Sequence, residues 1–181
     1  SKNGRQDQGV ALDVDCPNFM TLEAFMDLPE TPRTVLALDG VTNPQNVGMI
    51  IRSAVAAGVD GLLYPKRGIA SLGPLVIKAS AGNIFRAPII RCDATASAVT
   101  ALKAKGYQVA TLEATATTSL FEFKAADSVV CVLGGESDGI GREVAALADT
   151  RLTIPMANGV ESLNVAVTAA LVAFHLGQTP G

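Results

Sequence analysis

The chain has 181 residues, 49% of them hydrophobic and 17% charged, with a formal net charge of −3. That composition excludes a disordered chain, and the acidic balance excludes a protein that grips nucleic acid by net charge alone. Aromatic residues make up 4% and tryptophan is absent, which excludes a single-strand platform built on base stacking.

Residues 1 to 32 read as a lead-in, polar at first and then one short helix within NFMTLEAFMDLPETP. From there β-rich runs alternate with helical patterns. TVLALDGV (34–41), GLLYP (61–65), APIIRC (87–92), YQVATLEA (107–114), SVVCVLGG (128–135) and RLTIPM (151–156) are the predicted strands. The predicted helices span 44–57, 74–82, 95–105, 140–148 and 162–176. Strands apolar on both faces, separated by helices, predict one α/β domain with a mostly parallel sheet covered on both sides.

Two helices carry further information. In 44–57, Asn43 caps, Pro44 fits the first turn and Gly58 closes. Val47, Ile50, Ile51, Ala54 and Val55 make its buried stripe, while Gln45, Gly48 and Arg52 share another face, where the glycine clears room for a close approach. The last helix is apolar nearly all round, with Ala166, Ala169, Ala170 and Ala173 along one stripe. A helix of that kind needs cover on every side, and a homodimer interface is the expectation.

Cys16, Cys92 and Cys131 are odd in number and lack metal-ligand spacing. Cys92 and Cys131 sit in apolar runs as buried thiols of a reducing compartment, so a cytoplasmic protein is expected. The single histidine, His175, rules out a His-rich metal site and suits the end of the last helix. No signal peptide is visible, and the longest apolar helix is too short to span a bilayer, so no membrane partner is expected. Between Asp60 and Asp93 the chain carries Lys66, Arg67, Lys78, Arg86 and Arg91 without an acidic residue. Such a local basic zone is what a polyanion site needs.

Three polar segments each follow a strand: DGVTNPQNVG (39–48), LGGESDGIG (133–141) and PMANGVESLN (155–164). Ligands of open α/β sheets bind at such loops. The second lacks the phosphate-loop lysine and carries Glu136 and Asp138, so it suits a ligand with hydroxyls, an amine or a positive centre rather than a pyrophosphate. A hydrolase lacks its G-x-S-x-G elbow, and the one histidine, near the end of the last helix, would have to serve Ser162. Ser162 and Asn164 are sensible helix caps as well as candidate ligands, and from the residues alone both readings stand.

Together the loops resemble the three motifs of the SpoU/TrmH RNA ribose 2′-O-methyltransferases of the SPOUT superfamily. Asn46, Gly48, Arg52 and Ser53 match the first, Gly134 to Ile140 the second, and Ile154 to Val165 the third. The resemblance covers about residues 34 to 177 and implies a C-terminal trefoil knot, which no periodicity reveals. It implies S-adenosylmethionine as cofactor, contacted by Gly134, Ile154 and Leu163, with Leu112 beside them. It further implies catalytic roles for Arg52, Asn46, Glu136, Ser162 and Asn164. Arg52 would act as base, or as clamp on the phosphate and the developing oxyanion, positioned by Asn46 and reaching a cofactor held by the partner subunit. The expected substrate is RNA, rRNA favoured over tRNA; a non-catalytic RNA-binding protein on the same fold is the alternative. Asp7-Gln8-Gly9 resembles the family's H-Q-G connection to an N-terminal RNA-binding domain. The expectation is therefore a linker over 1–32 and a catalytic domain over 33–181.

Overall fold

The structure, a computed structural model, describes residues 16, 18–136 and 138–177; the Asp7-Gln8-Gly9 segment lies outside them. In chain order the elements are β1 (Met20–Thr21), α1 (Leu22–Met26), β2 (Thr34–Asp39), α2 (Pro44–Ala57), β3 (Gly61–Pro65), α3 (Pro74–Ala79) and β4 (Ile89–Cys92). After these come α4 (Thr95–Ala104), β5 (Gln108–Leu112), β6 (Thr118–Ser119), β7 (Val129–Gly134), α5 (Arg142–Ala145), β8 (Thr150–Thr153) and α6 (Val165–Gly177). The eight strands form one sheet in the order β1-β4-β3-β2-β7-β5-β8-β6, and every pairing is parallel.

Strand alternation feeds two cores. In β2, Leu36 and Leu38 face α2 and α6, while Val35 and Ala37 face α1 and α4; in β7, Cys131 and Leu133 take the first side and Val130 and Val132 the second. All are essentially unexposed, which is why these strands lack the polar alternation of a half-solvated sheet. The thiols are inside as expected: burial pushes Cys131 up to about 12 and Cys92 up to about 11.

Several predicted boundaries move. The lead-in joins the sheet: β1 pairs with β4, and Phe25 is 1% exposed. The predicted helix 140–148 shrinks to the single turn α5, because the chain tightens through Leu147 N–H to Val144 O and turns into β8 at Asp149. The strands over 107–114 and 151–156 stop at Leu112 and Thr153, and the residues just beyond each strand end become cavity wall. Gly48 does clear room, but for protein: a Cβ there would lie 2.8 Å from Val76 O and 2.9 Å from Ser80 N of the α3 segment. At the far end of α2, Gly177 lets α6 close on Ala57 O, where a Cβ would stand 2.4 Å away.

From β2 the chain winds outward through β3 and β4, then crosses to build β5, β7 and β8 on the other side. Such a reversal leaves a crevice beyond the carboxyl ends of the strands. The β5–β8 half under that crevice is pinned by Asp149, which pairs with Lys103 at 2.7 Å and accepts the Val109 N–H at 2.9 Å. The Lys103 ammonium first, and then the Val109 N–H, hold its carboxyl below the ordinary value. A depressed folded value means stability that is complete above the unfolded value of about 3.9 and lost as pH falls through the folded one. With the side chain 39% exposed, screening limits the effect. Asp149→Asn should therefore cost about 1 kcal/mol in urea unfolding at pH 7, with the gap to wild type closing in acid; a gap independent of pH would show that the ion pair contributes nothing.

Candidate functional site

The segments after β5, β7 and β8 enclose a cavity of about 610 Å³, within the range of small-molecule sites. Its wall includes Leu112, Gly134, Ile154 and Leu163, the four residues expected to hold a cofactor, together with Glu136, Ser162 and Asn164. Two glycines shape it. A Cβ on Gly134 would fall 2.3 Å from the Gly139 carbonyl carbon, and one on Gly135 would fall 2.2 Å from Gly40 O. Backbone therefore packs on backbone, and the 134–141 loop folds back on itself through reciprocal Gly135–Gly139 hydrogen bonds. Asp39 ties this loop to the first motif: its Oδ2 accepts from Gly141 N at 2.7 Å, and its carbonyl accepts from Gly135 N at 2.7 Å.

Three side chains, one from each motif, meet at the mouth. Asn46 Nδ2 donates to Glu136 Oε1 at 2.8 Å, and Asn164 Nδ2 donates to the same oxygen at 2.9 Å and lies 3.2 Å from Asn46 Oδ1. The Oδ1 of Asn164 meanwhile accepts from Ala166 N at 2.9 Å, and its carbonyl accepts the first α6 bond from Thr168 N. Capping and site-building are thus done by one residue, and the helix begins at Val165 rather than at residue 162. Ser162 stays exposed on the cavity wall. Asn46 is 4% exposed, so its amide has no water to fall back on and depends on this junction.

Arg52 is not brought into this group. Asn46 bonds Glu136 and Asn164 instead of positioning the arginine within the same chain. Six residues further along α2, Arg52 lies roughly 9 Å down the axis, exposed beside Gln45 and Met49. Sequence reasoning did not single out the wall residue Glu113 or the support Asp39, while Glu161 entered it only as part of the third loop. A signal for the first two was available, since both are acidic residues at or just beyond the ends of apolar strands, where a parallel sheet presents its ligands. Among the described residues the cavity wall holds three glutamates, Glu113, Glu136 and Glu161, and no lysine, arginine or histidine. With the apolar Leu112, Ile154, Met156 and Val160, that lining fits a nucleoside with a positive centre and disfavours a polyphosphate.

The SpoU rRNA Methylase family matches residues 33–174. The chain belongs to the SpoU family. A Staphylococcus aureus protein assigned to the TrmH family of tRNA/rRNA methyltransferases is 41% identical over 172 residues, covering 93% of this chain and 69% of that protein. The AdoMet-bound rRNA methyltransferase of Sinorhizobium meliloti superposes with a TM-score of 0.76 at 29% identity, over 84% of this chain and 59% of that one. A structure describing 2-OH methylation of C/U34 on tRNA gives a TM-score of 0.68 at 29% identity, over 80% of this chain and 94% of that one. This SpoU chain therefore spans less than two thirds of the Sinorhizobium chain.

In this SpoU chain the Glu136 junction is a testable energetic unit. A double-mutant cycle with Asn164→Ala and Glu136→Ala, measured by urea unfolding, should give a coupling of about 1–2 kcal/mol. Strict additivity would mean that the contact contributes no stability.

Proposed function

We propose that the chain transfers a methyl group from S-adenosylmethionine to a ribose 2′-hydroxyl of RNA, with rRNA favoured over tRNA. The observation that carries this reading is the meeting of Asn46, Glu136 and Asn164 at the mouth of an acidic, partly apolar cavity. When bound, S-adenosylmethionine supplies an electrophilic methyl on a sulfonium, and the wall carboxylates complement its positive charge. Leu112, Gly134, Ile154 and Leu163 hold the nucleoside, and Ser162 and Asn164 order the end of the site where the methyl group leaves. The preference for rRNA rests on the family's description; the relative named for both RNAs and the tRNA structure keep tRNA as the second reading. The trefoil knot belongs to the same reading, supported by the fold shared with a SpoU methyltransferase structure. A cytoplasmic setting is supported by the reduced, buried Cys92 and Cys131.

Arg52 acts across a homodimer. Three apolar side chains stand exposed on the same two helices, Met49 at 42% on α2 and Val167 at 49% and Phe174 at 42% on α6, and burying them against a second copy sets Arg52 toward the other cavity. There its guanidinium clamps the RNA phosphate and stabilises the oxyanion forming on the attacking hydroxyl. Phosphate or water takes the proton, since an arginine keeps its own. Backbone contacts to RNA come from the stretch containing Lys66, Arg67, Lys78, Arg86 and Arg91, without choosing sequence.

Calorimetric titration with S-adenosylmethionine should show one site per chain. Leu163→Arg, which sets a cation into the acidic cavity, should weaken that site tenfold or more, on the order of 1.4 kcal/mol; a folded wild-type chain that binds no cofactor would sink the reading. Arg52→Ala and Leu163→Arg chains, each inactive, should recover about a quarter of wild-type methyl transfer to bulk rRNA when mixed and reassembled, because half the dimers carry one complete site. No recovery would place Arg52 at its own subunit's cavity.

A further inference from the structure

Glu113 stands on the cavity wall just past the end of β5, at a position that the three motifs do not include. Its carboxylate is held from two sides. The Thr111 hydroxyl, wholly buried, donates to Oε1 at 2.8 Å, and Arg151 Nε lies 3.6 Å from the same oxygen. Its own N–H bonds to Leu152 O at 2.8 Å, which fixes the backbone against β8. A polar side chain such as Thr111, fully buried in β5, carries a desolvation cost that its single bond to Glu113 offsets. Both tethers converge on Oε1 and leave Oε2 open, on a side chain that is 23% exposed. The arrangement is a preorganised acceptor waiting for donors.

Its place in the sheet says which donors. Of the junction residues, Asn46 follows β2, Glu136 follows β7 and Asn164 follows β8; β7 and β8 flank β5, while β2 is two strands from it, on the order of 10 Å across the sheet. A methyl donor whose reactive end faces the Asn46 side of the junction turns its nucleoside toward Glu113. Of the groups on a nucleoside, the ribose cis-diol alone presents two adjacent hydroxyl donors, and an acidic residue at the end of a parallel strand is a general solution for receiving them.

We infer that Glu113, positioned by Thr111 and Arg151, accepts hydrogen bonds from the ribose hydroxyls of the bound cofactor and makes the site selective for a ribonucleoside with a free 2′,3′-diol. This rests on the cofactor reading above. Glu113 is the contacting residue, and Thr111 acts only through it.

The test is calorimetric titration of the full chain with three probes: S-adenosylhomocysteine, its 2′,3′-dideoxy analogue, and methylthioadenosine, which keeps the diol and lacks the amino-acid tail. Loss of a charge-assisted hydrogen bond predicts that Glu113→Gln weakens S-adenosylhomocysteine about 10-fold, and Glu113→Ala up to about 100-fold. Methylthioadenosine should lose the same factors, and the dideoxy analogue should change less than about twofold, because the ligand has already lost what the variant removes. Thr111→Val should reproduce part of the loss with the same selectivity between probes, which a merely structural defect would not do. An equal loss for the dideoxy analogue, or a loss for S-adenosylhomocysteine without one for methylthioadenosine, would overturn the diol assignment while leaving the cofactor reading intact. Wild-type chain that binds none of the three would overturn both.

Discussion

One carboxylate oxygen organises the site. Glu136 Oε1 receives the amides of Asn46 and Asn164, residues separated by 118 positions in the chain. Without that acceptor, a buried asparagine amide would keep its desolvation cost with no partner, and the three loops would have no common reference point. The arrangement is economical because each contributor is already anchored elsewhere. Asn46 lies in the first turn of α2, Asn164 caps α6, and Glu136 rides on a loop whose backbone is pressed against Gly40 and Gly139. A bond between three fixed points loses little further conformational entropy, so it contributes more than the same bond between mobile loops.

The sheet makes this possible. Parallel strands put all their carboxyl ends on one edge, and the reversal at β2 spreads the connecting loops around a crevice instead of stacking them. The pairing of α2 with α6 then fixes the angle at which two of the three motifs arrive. Gly48 and Gly177 serve that packing, one against α3 and the other against Ala57. Their small size sets the geometry of the site from outside it.

Much of this was legible in the sequence, for identifiable reasons. Strand cores such as Val129–Gly134 have no polar alternation, so their burial on both faces could be read directly. The caps of α2 could be read because Asn43, Pro44 and Gly58 each act locally. The strand ends were over-extended because Glu113 and Ala114 or Pro155 and Met156 continue a plausible β pattern; a strand ends where it lacks a paired neighbour, which is not a local property. Helix 140–148 failed similarly, since its truncation is set by Asp149 engaging Lys103 and Val109, partners some 40 residues or more away. Gly48 was read for the right physical reason, but what fills the clearing could not be read, because no pattern says whether it will be a ligand or, as here, α3.

The hardest feature to read from sequence is also the one that separates a fold from an enzyme. Motif residues at one junction could be guessed from their order, but Arg52 shows why order is not geometry. It belongs to the same motif as Asn46 and yet stands on the exposed face of α2 with Gln45 and Met49, away from the cavity that its own chain forms. A helix shared by two jobs must split its faces between them: Asn46 turns inward to the junction, and Arg52 turns outward. Among the described residues Arg52 forms no ion pair, which leaves its guanidinium available to whatever docks on that face. The cavity it would serve holds glutamates and no cation of its own among the described residues. On the proposed reading, charge for the cofactor and charge for the phosphate would thereby sit on separate surfaces, so that neither would neutralise the other before RNA arrives.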